Sequence, residues 1–257
     1  MNNLFLYTLR YNLIVENRIE FLNPPPVSKV TSTFRMNLKD EIVCFEILKP
    51  HPSENSAMNE VESFLTSWEI NSLFKEGIRI RFDYVGSTKI PIGPGKTQLT
   101  GYTTLNIDNR PRREKERPQY PSLPPQKFKA TSKVKTIFDR YRDYLRGREK
   151  LGQMAYTCLT EFCGSDKIGN KIRKEIGERY KVEENILKKL GELSSTRGNA
   201  GERRKAPPKG GNYQPFTSNE KEWIKLVIKE LIIRLGKYEW DPNTPFKKLT
   251  MNDFPQI

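Results

Sequence analysis

Up to about residue 107 most apolar positions recur every second residue, and from Lys133 onward they recur every three or four. Leu4 and Leu6 against Phe5 and Tyr7, then Leu13 and Val15 against Ile14 and Glu16, predict two short strands between Leu4 and Phe21. Pro24-Pro25-Pro26 ends them, because proline has no N–H to give to a ladder. Glu41 to Leu48 predicts a further strand. Asn55 or Ser56 is placed to cap a helix whose positions Val61, Phe64, Leu65, Trp68 and Leu73 follow helical spacing, and Gly77 is placed to end it. Ile78, Ile80, Phe82 and Tyr84 alternate with Arg79, Arg81 and Asp83, a strand with one buried and one wet face. Thr100 to Ile107 predicts another. Strands on both sides of a helix make residues 1–108 an α+β domain.

Residues 109–127, NRPRREKERPQYPSLPPQK, hold five prolines within a charge cluster. Residues 109–130 are therefore expected to form an extended basic linker spanning up to about 3 Å per residue. Beyond it the period is helical. Val134, Ile137, Phe138, Tyr141 and Leu145 form one stripe; Leu151, Met154, Ala155, Cys158, Leu159 and Phe162 form a second, with Gly147 or Gly152 at the break. Ile168, Ile172, Ile176 and Tyr180 give a third helix; Ile186, Leu187, Leu190 and Leu193 give a fourth. Thr217 or Ser218 caps the fifth, whose inner side carries Trp223, Ile224, Val227, Ile228, Leu231, Ile232 and Leu235. The expected fold class is thus α+β: a strand-rich mixed N-terminal domain followed by a five-helix bundle over 131–240. An extended tail with three prolines closes the chain at 241–257.

Charge divides along the same line. The chain of 257 residues carries 45 Lys+Arg against 31 Asp+Glu, a formal +14. Residues 1–110 hold 12 of each sign, whereas residues 111–257 hold 33 against 19, so the whole surplus lies in the second part. A surplus confined to one module points to a polyanionic partner more than to general solubility. Three cysteines without paired spacing fit a reducing compartment. The opening MNNLFLYTLRYNLIVENRIEF is interrupted by Arg10 and Glu16 and does not read as a signal peptide. No run approaches the roughly 18 to 20 apolar residues of a bilayer span. The expected setting is the cytoplasm, with no membrane partner.

Several constellations resemble chemical sites, each beside a plainer reading. Gly93-Pro94-Gly95-Lys96-Thr97 is similar to the end of a phosphate-binding loop, but Ile90 stands where the motif needs glycine and strand-forming residues follow; it reads as a turn. His51 is the only histidine and is read as an exposed loop residue, since no partner is visible in the sequence. Asp139 and Asp143, one helical turn apart among Arg140, Arg142 and Arg146, read as an ion-pair face. Cys158 belongs to an apolar stripe. No cofactor or metal is implied.

The segment KIRKEIGERYKVEENILKKLGEL is more informative. Ile176, Gly177, Tyr180, Val182, Leu187 and Leu190 reproduce the spacing of a helix-turn-helix, whose second helix here offers Lys188 and Lys189, with Glu183 and Glu184 at its start. A plain helical hairpin fits the same spacing. The stretch from Ser194 to Gly211 joins glycines to Arg197, Arg203, Arg204, Lys205 and Lys209 between two helices, a composition able to wrap a phosphate backbone. Its setting resembles HEPN-type ribonucleases, which rely on an arginine followed closely by histidine; no histidine follows Arg197.

Three pieces together resemble a widespread bacterial family without an established activity: VESFLTSWEINSLF with IRIRFDY, ILKKLGELSSTRGNAGERRK, and FTSNEKEWIKLVIKELIIRLGKY with LTMNDFP. They span most of the chain. The resemblance implies a bacterial cytosolic setting and a two-part design, and supplies no catalytic residues. The expectation is a non-catalytic protein binding DNA or RNA through Arg112, Arg113, Lys188, Lys189, Arg197, Arg203, Arg204 and Lys205. The alternatives are an adaptor that docks a protein partner through the N-terminal domain, and a HEPN-like or helix-turn-helix effector.

Overall fold

The computed structural model describes residues 4–17, 19–92, 98–101, 115–164, 169–198 and 214–257, with only the backbone described at 98–101. It divides into two compact units, Met1–Gln126 and Lys127–Ile257. The α+β class is borne out: strands and one helix build the first unit, and five helices dominate the second.

The first unit contains β1 (Phe5–Val15), β2 (Ile19–Phe21), β3 (Val27–Val30), β4 (Phe34–Lys39), β5 (Ile42–Ile47), α1 (Glu54–Glu76), β6 (Ile80–Pro91), β7 (Gln98–Gly101) and β8 (Lys115–Arg117). Six strands pair antiparallel in the order β3-β4-β5-β1-β6-β7. Where two short strands were expected, β1 is one continuous strand: Tyr7, Leu9, Tyr11 and Leu13 face inward, and polar Arg10 and Asn12 keep the alternation unbroken. The hairpin of β3 and β4 was not foreseen, although Phe34, Met36 and Leu38 alternate as a strand should and are all buried. Asp40 and Glu41 turn the chain from β4 into β5 with φ of 51° and 60°, as a tight two-residue hairpin requires.

Helix α1 lies on one face of this sheet. Ser53 caps it, accepting from the Ser56 N–H, and Gly77 ends it at φ 68°. The cap falls two to three residues before the expected one. Ala57, Val61, Leu65 and Trp68 join the inward residues of β1, β4, β5 and β6 in one apolar cluster, with Phe64 and Phe82 set edge-on or tilted against Trp68.

The expected linker is not a free spacer. Residues 109–114 lie outside the described residues, but 115–126 pack onto the first unit: β8 pairs in parallel with β2, and Tyr120 is buried against Phe21. Proline gives up its donor but keeps its carbonyl, so the donors come from α1. The Trp68 indole donates to the Pro121 carbonyl at 3.2 Å, and the Asn71 amide donates to that of Ser122 at 3.0 Å. Residues 127–130 belong to the second unit, where Phe128 is buried and the Lys129 N–H donates to the Gly236 carbonyl at 2.9 Å.

The second unit holds α2 (Ser132–Leu145), α3 (Leu151–Cys163), α4 (Asn170–Tyr180), α5 (Glu184–Thr196) and α6 (Ser218–Trp240). Helix α6 is central: it touches the other four, and Trp223, Ile224, Val227, Ile228, Leu231, Ile232 and Leu235 are fully buried. A capping box of Thr217 and Glu220 fixes its start. Ile168, expected in the third helix, lies outside the described residues, as do Gly93–Thr97 and residues 102–107 of the last expected strand.

The tail is extended, as its prolines suggest, and it packs. Leu249 exchanges backbone hydrogen bonds with the α4–α5 turn, Phe254 meets Trp223 edge-on, and Met251–Asp253 form a single 3-10 turn. Arg234, buried within α6, donates to the carbonyls of Tyr180 at 2.8 Å and Lys247 at 2.9 Å, tying α4 and the tail to the central helix. Burial lowers its pKa, and the charges of Glu230 and Asp253 only partly draw it back. Among the described residues no helix is long and apolar enough to cross a membrane.

Candidate nucleic-acid interface

Helices α4 and α5 form the helical hairpin that the spacing suggested. Ile176, Tyr180, Val182, Leu187 and Leu190 are all buried. Lys181 ends α4 in the left-handed region at φ 53°, which reverses the chain within three residues. Gly177 sits where the turn folds back: a Cβ on it would lie 2.6 Å from the Val182 carbonyl oxygen, so only glycine lets the two segments meet.

This packing turns Lys171, Lys174 and Glu178 of α4 and Asn185, Lys188 and Glu192 of α5 outward. The tail crosses the turn. Glu183 N–H donates to the Leu249 carbonyl at 2.9 Å, and Leu249 N–H donates to that of Lys181 at 2.8 Å. An open groove of about 410 Å³ results, with Lys174, Lys181 and Lys248 along its walls beside Glu178, Glu183 and Glu184. Glu183, at the start of α5, accepts from the Met251 N–H at 3.0 Å and from the Asn185 amide at 3.1 Å.

The expected phosphate ligands meet different fates. Lys188 is exposed and has no ion pair among the described residues. Lys189 spends its charge locally on Glu192, 3.0 Å away. Arg197 is a clamp: its Nε donates to Glu220 Oε1 at 2.8 Å, its Nη1 donates to the Gln214 side chain, and the adjoining Gly198 N–H donates to the Gln214 carbonyl at 2.8 Å. The two ends of segment 199–213 are thereby held side by side at the start of α6. Arg112, Arg113, Arg203, Arg204 and Lys205 lie outside the described residues. Sequence reasoning did not single out Lys174, Lys181 and Lys248. Lys181 carried a signal, since it fills the turn position of the motif; Lys248 carried none, because nothing in the sequence says where the tail returns.

The plainer readings hold elsewhere in this unit. Asp139 pairs with Arg142 at 2.7 Å and with Lys135 at 3.3 Å, and Asp143 lies 3.8 Å from Arg146. Cys158 is fully buried and burial raises its thiol pKa well above the ordinary value; burial pushes Cys163 up to about 11.

His51 departs from its reading as an exposed loop residue. It is buried at the mouth of α1, its backbone N–H and carbonyl both bonded to Phe5. Nδ1 lies 3.0 Å from Ser56 Oγ, and Nε2 lies 3.8 Å from Glu60 Oε1. Ser56 and Glu60 are one turn apart on α1, so the helix presents both to the same ring. No family model, curated protein or solved structure matches the chain.

Proposed function

We propose that this is a bacterial cytoplasmic nucleic-acid-binding protein that engages phosphates through its helical unit. The observation that carries the reading is the α4–α5 motif with Lys171, Lys174, Lys181, Lys188 and Lys248 around it, none of them in an ion pair among the described residues. The groove lies at the N-terminal end of α5, and the segment bearing Arg203, Arg204, Lys205 and Lys209 leaves from its C-terminal end. At 1.5 Å per residue the 13 residues of α5 extend roughly 20 Å from the groove, a length comparable to about half a turn of duplex. Residues of α4 would meet the backbone, and Asn185 and Lys188 of α5 would approach the bases.

Fluorescence anisotropy with a labelled duplex and a labelled single-stranded RNA, each over a salt series, tests this. The expected result is affinity that falls steeply with salt, by about tenfold or more between 50 and 200 mM, with neutralisation of Arg203, Arg204 and Lys205 reducing both affinity and salt slope. Absence of affinity for either polymer at low salt overturns it.

A second reading rests on the other unit. The sheet face opposite α1 carries exposed Val30, Ile42, Leu48 and Ile90 among polar residues, a surface suited to a protein partner. Partner capture that survives nuclease treatment and is lost with Ile42→Glu would support an adaptor role.

A further inference from the structure

The single histidine has acquired the two neighbours that the sequence did not reveal. Its backbone is clamped to Phe5 by hydrogen bonds of 3.0 and 2.8 Å, so the imidazole is fixed before α1 begins. Ser56 Oγ is 3.0 Å from Nδ1, and Nε2, a buried ring atom without a hydrogen-bond partner, has Glu60 Oε1 3.8 Å away as its facing carboxylate. Ser53, not Ser56, caps the helix, which leaves the Ser56 hydroxyl free of that duty. Ser56 is also only half-buried, while the imidazole behind it is 10 % exposed.

From this geometry we infer that Ser56 is a nucleophile for acyl transfer, with His51 as its base and Glu60 as the group that orients the imidazole. The order hydroxyl, imidazole, carboxylate is that of a catalytic relay with the two ring nitrogens exchanged, Nδ1 facing the hydroxyl and Nε2 the carboxylate. Ser56 Oγ bonds to the acyl carbon of an ester while its proton passes to His51 Nδ1. Collapse of the adduct breaks the acyl C–O bond, and the departing alkoxide takes that proton. Water then attacks the acyl-serine, gives a proton to Nδ1, and Ser56 departs with it, releasing the carboxylic acid.

The start of α1 supplies what the developing oxyanion needs. The amides of Glu54 and Asn55, at the first two helical positions, have no helical carbonyl to bond, and the helix dipole is positive at this end. The Glu54 carboxylate is engaged by the Tyr84 hydroxyl, and Lys89 Nζ lies 3.6 Å from the centre of the Phe5 ring. Exposed Pro52, Ser53 and Asn55 border the serine, so the substrate class is a small acyl ester that needs no deep pocket. This activity belongs to the first unit and does not depend on nucleic-acid binding by the second.

The full chain treated with a fluorophosphonate probe, followed by intact mass and peptide mapping, tests the assignment. Expected are one adduct on Ser56, none with Ser56→Ala, and labelling at least about a hundredfold slower with His51→Gln. Hydrolysis of p-nitrophenyl acetate should show the same order. Because His51→Gln could perturb the fold, Ser56→Cys provides a second readout: iodoacetamide should alkylate position 56 at neutral pH faster than it alkylates Cys44, with melting temperature confirming the fold. A wild-type protein labelled no more than Ser56→Ala, or a cysteine at position 56 that reacts no faster than Cys44, overturns the proposal.

Discussion

Arg197 Nε donates to Glu220 Oε1 at 2.8 Å, so the residue that follows α5 is bonded to the carboxylate that completes the capping box of α6. The Glu220 carboxylate is 7 % exposed, and its other oxygen accepts from the Thr217 N–H at 2.8 Å. One carboxylate thus serves both a helix cap and the closure of segment 199–213. Arg197→Ala should cost about 2 kcal/mol, because it strands a buried charge, and should show as a lower urea midpoint. Arg197→Ala protein that still folds should keep most of its salt-dependent affinity for nucleic acid, since the guanidinium is already spent within the protein.

Gly177→Ala should destabilise the helical unit by about 1–3 kcal/mol, because the added methyl meets a backbone carbonyl at 2.6 Å and the turn must open to admit it. Nucleic-acid affinity measured below the melting transition should fall with it, whereas Gly169→Ala, with open space around the site, should alter neither.

The tail is predicted to be integral to the helical unit. Phe254→Ala removes a ring that packs 5.9 Å from Trp223 and should cost about 3 kcal/mol in thermal or chemical unfolding. Lys248→Ala, at an exposed position on the groove, should leave stability unchanged and reduce the slope of log affinity against log salt by about one.

Glu149 gives the fold a pH dependence. Desolvation raises its pKa, and Arg140 only partly draws it back. The carboxyl therefore binds its proton more tightly in the folded than in the unfolded chain. Stability from this group is present below the ordinary carboxylate range and is lost as pH rises through the folded pKa. Urea midpoints should fall over that interval, and Glu149→Gln should flatten the profile.

Thiol chemistry offers an independent check on burial. Cys158 and Cys163 are buried with raised pKa values, while Cys44 is half-exposed on the open sheet face. A disulfide-exchange reagent should modify Cys44 alone in the native protein and the other two only on unfolding.

Local chemistry alone determined a large part of this architecture. Alternation at Ile80, Phe82 and Tyr84, the stripe from Trp223 to Leu235, and the Thr217 cap each encode their element within a few residues, since side-chain direction follows backbone period. The helical-hairpin spacing was legible for the same reason: all its positions lie between Ile176 and Leu190. What only the tertiary structure decided are pairings between residues distant in the chain. The acceptance of Trp68 by Pro121, the return of Leu249 to the α4–α5 turn and the conversion of Arg197 from a phosphate ligand into a clamp depend on loop closures that no local pattern records. His51 shows the gap most directly. Its partners stand only five and nine residues away, yet the bond to Phe5 across the sheet sets where its ring points.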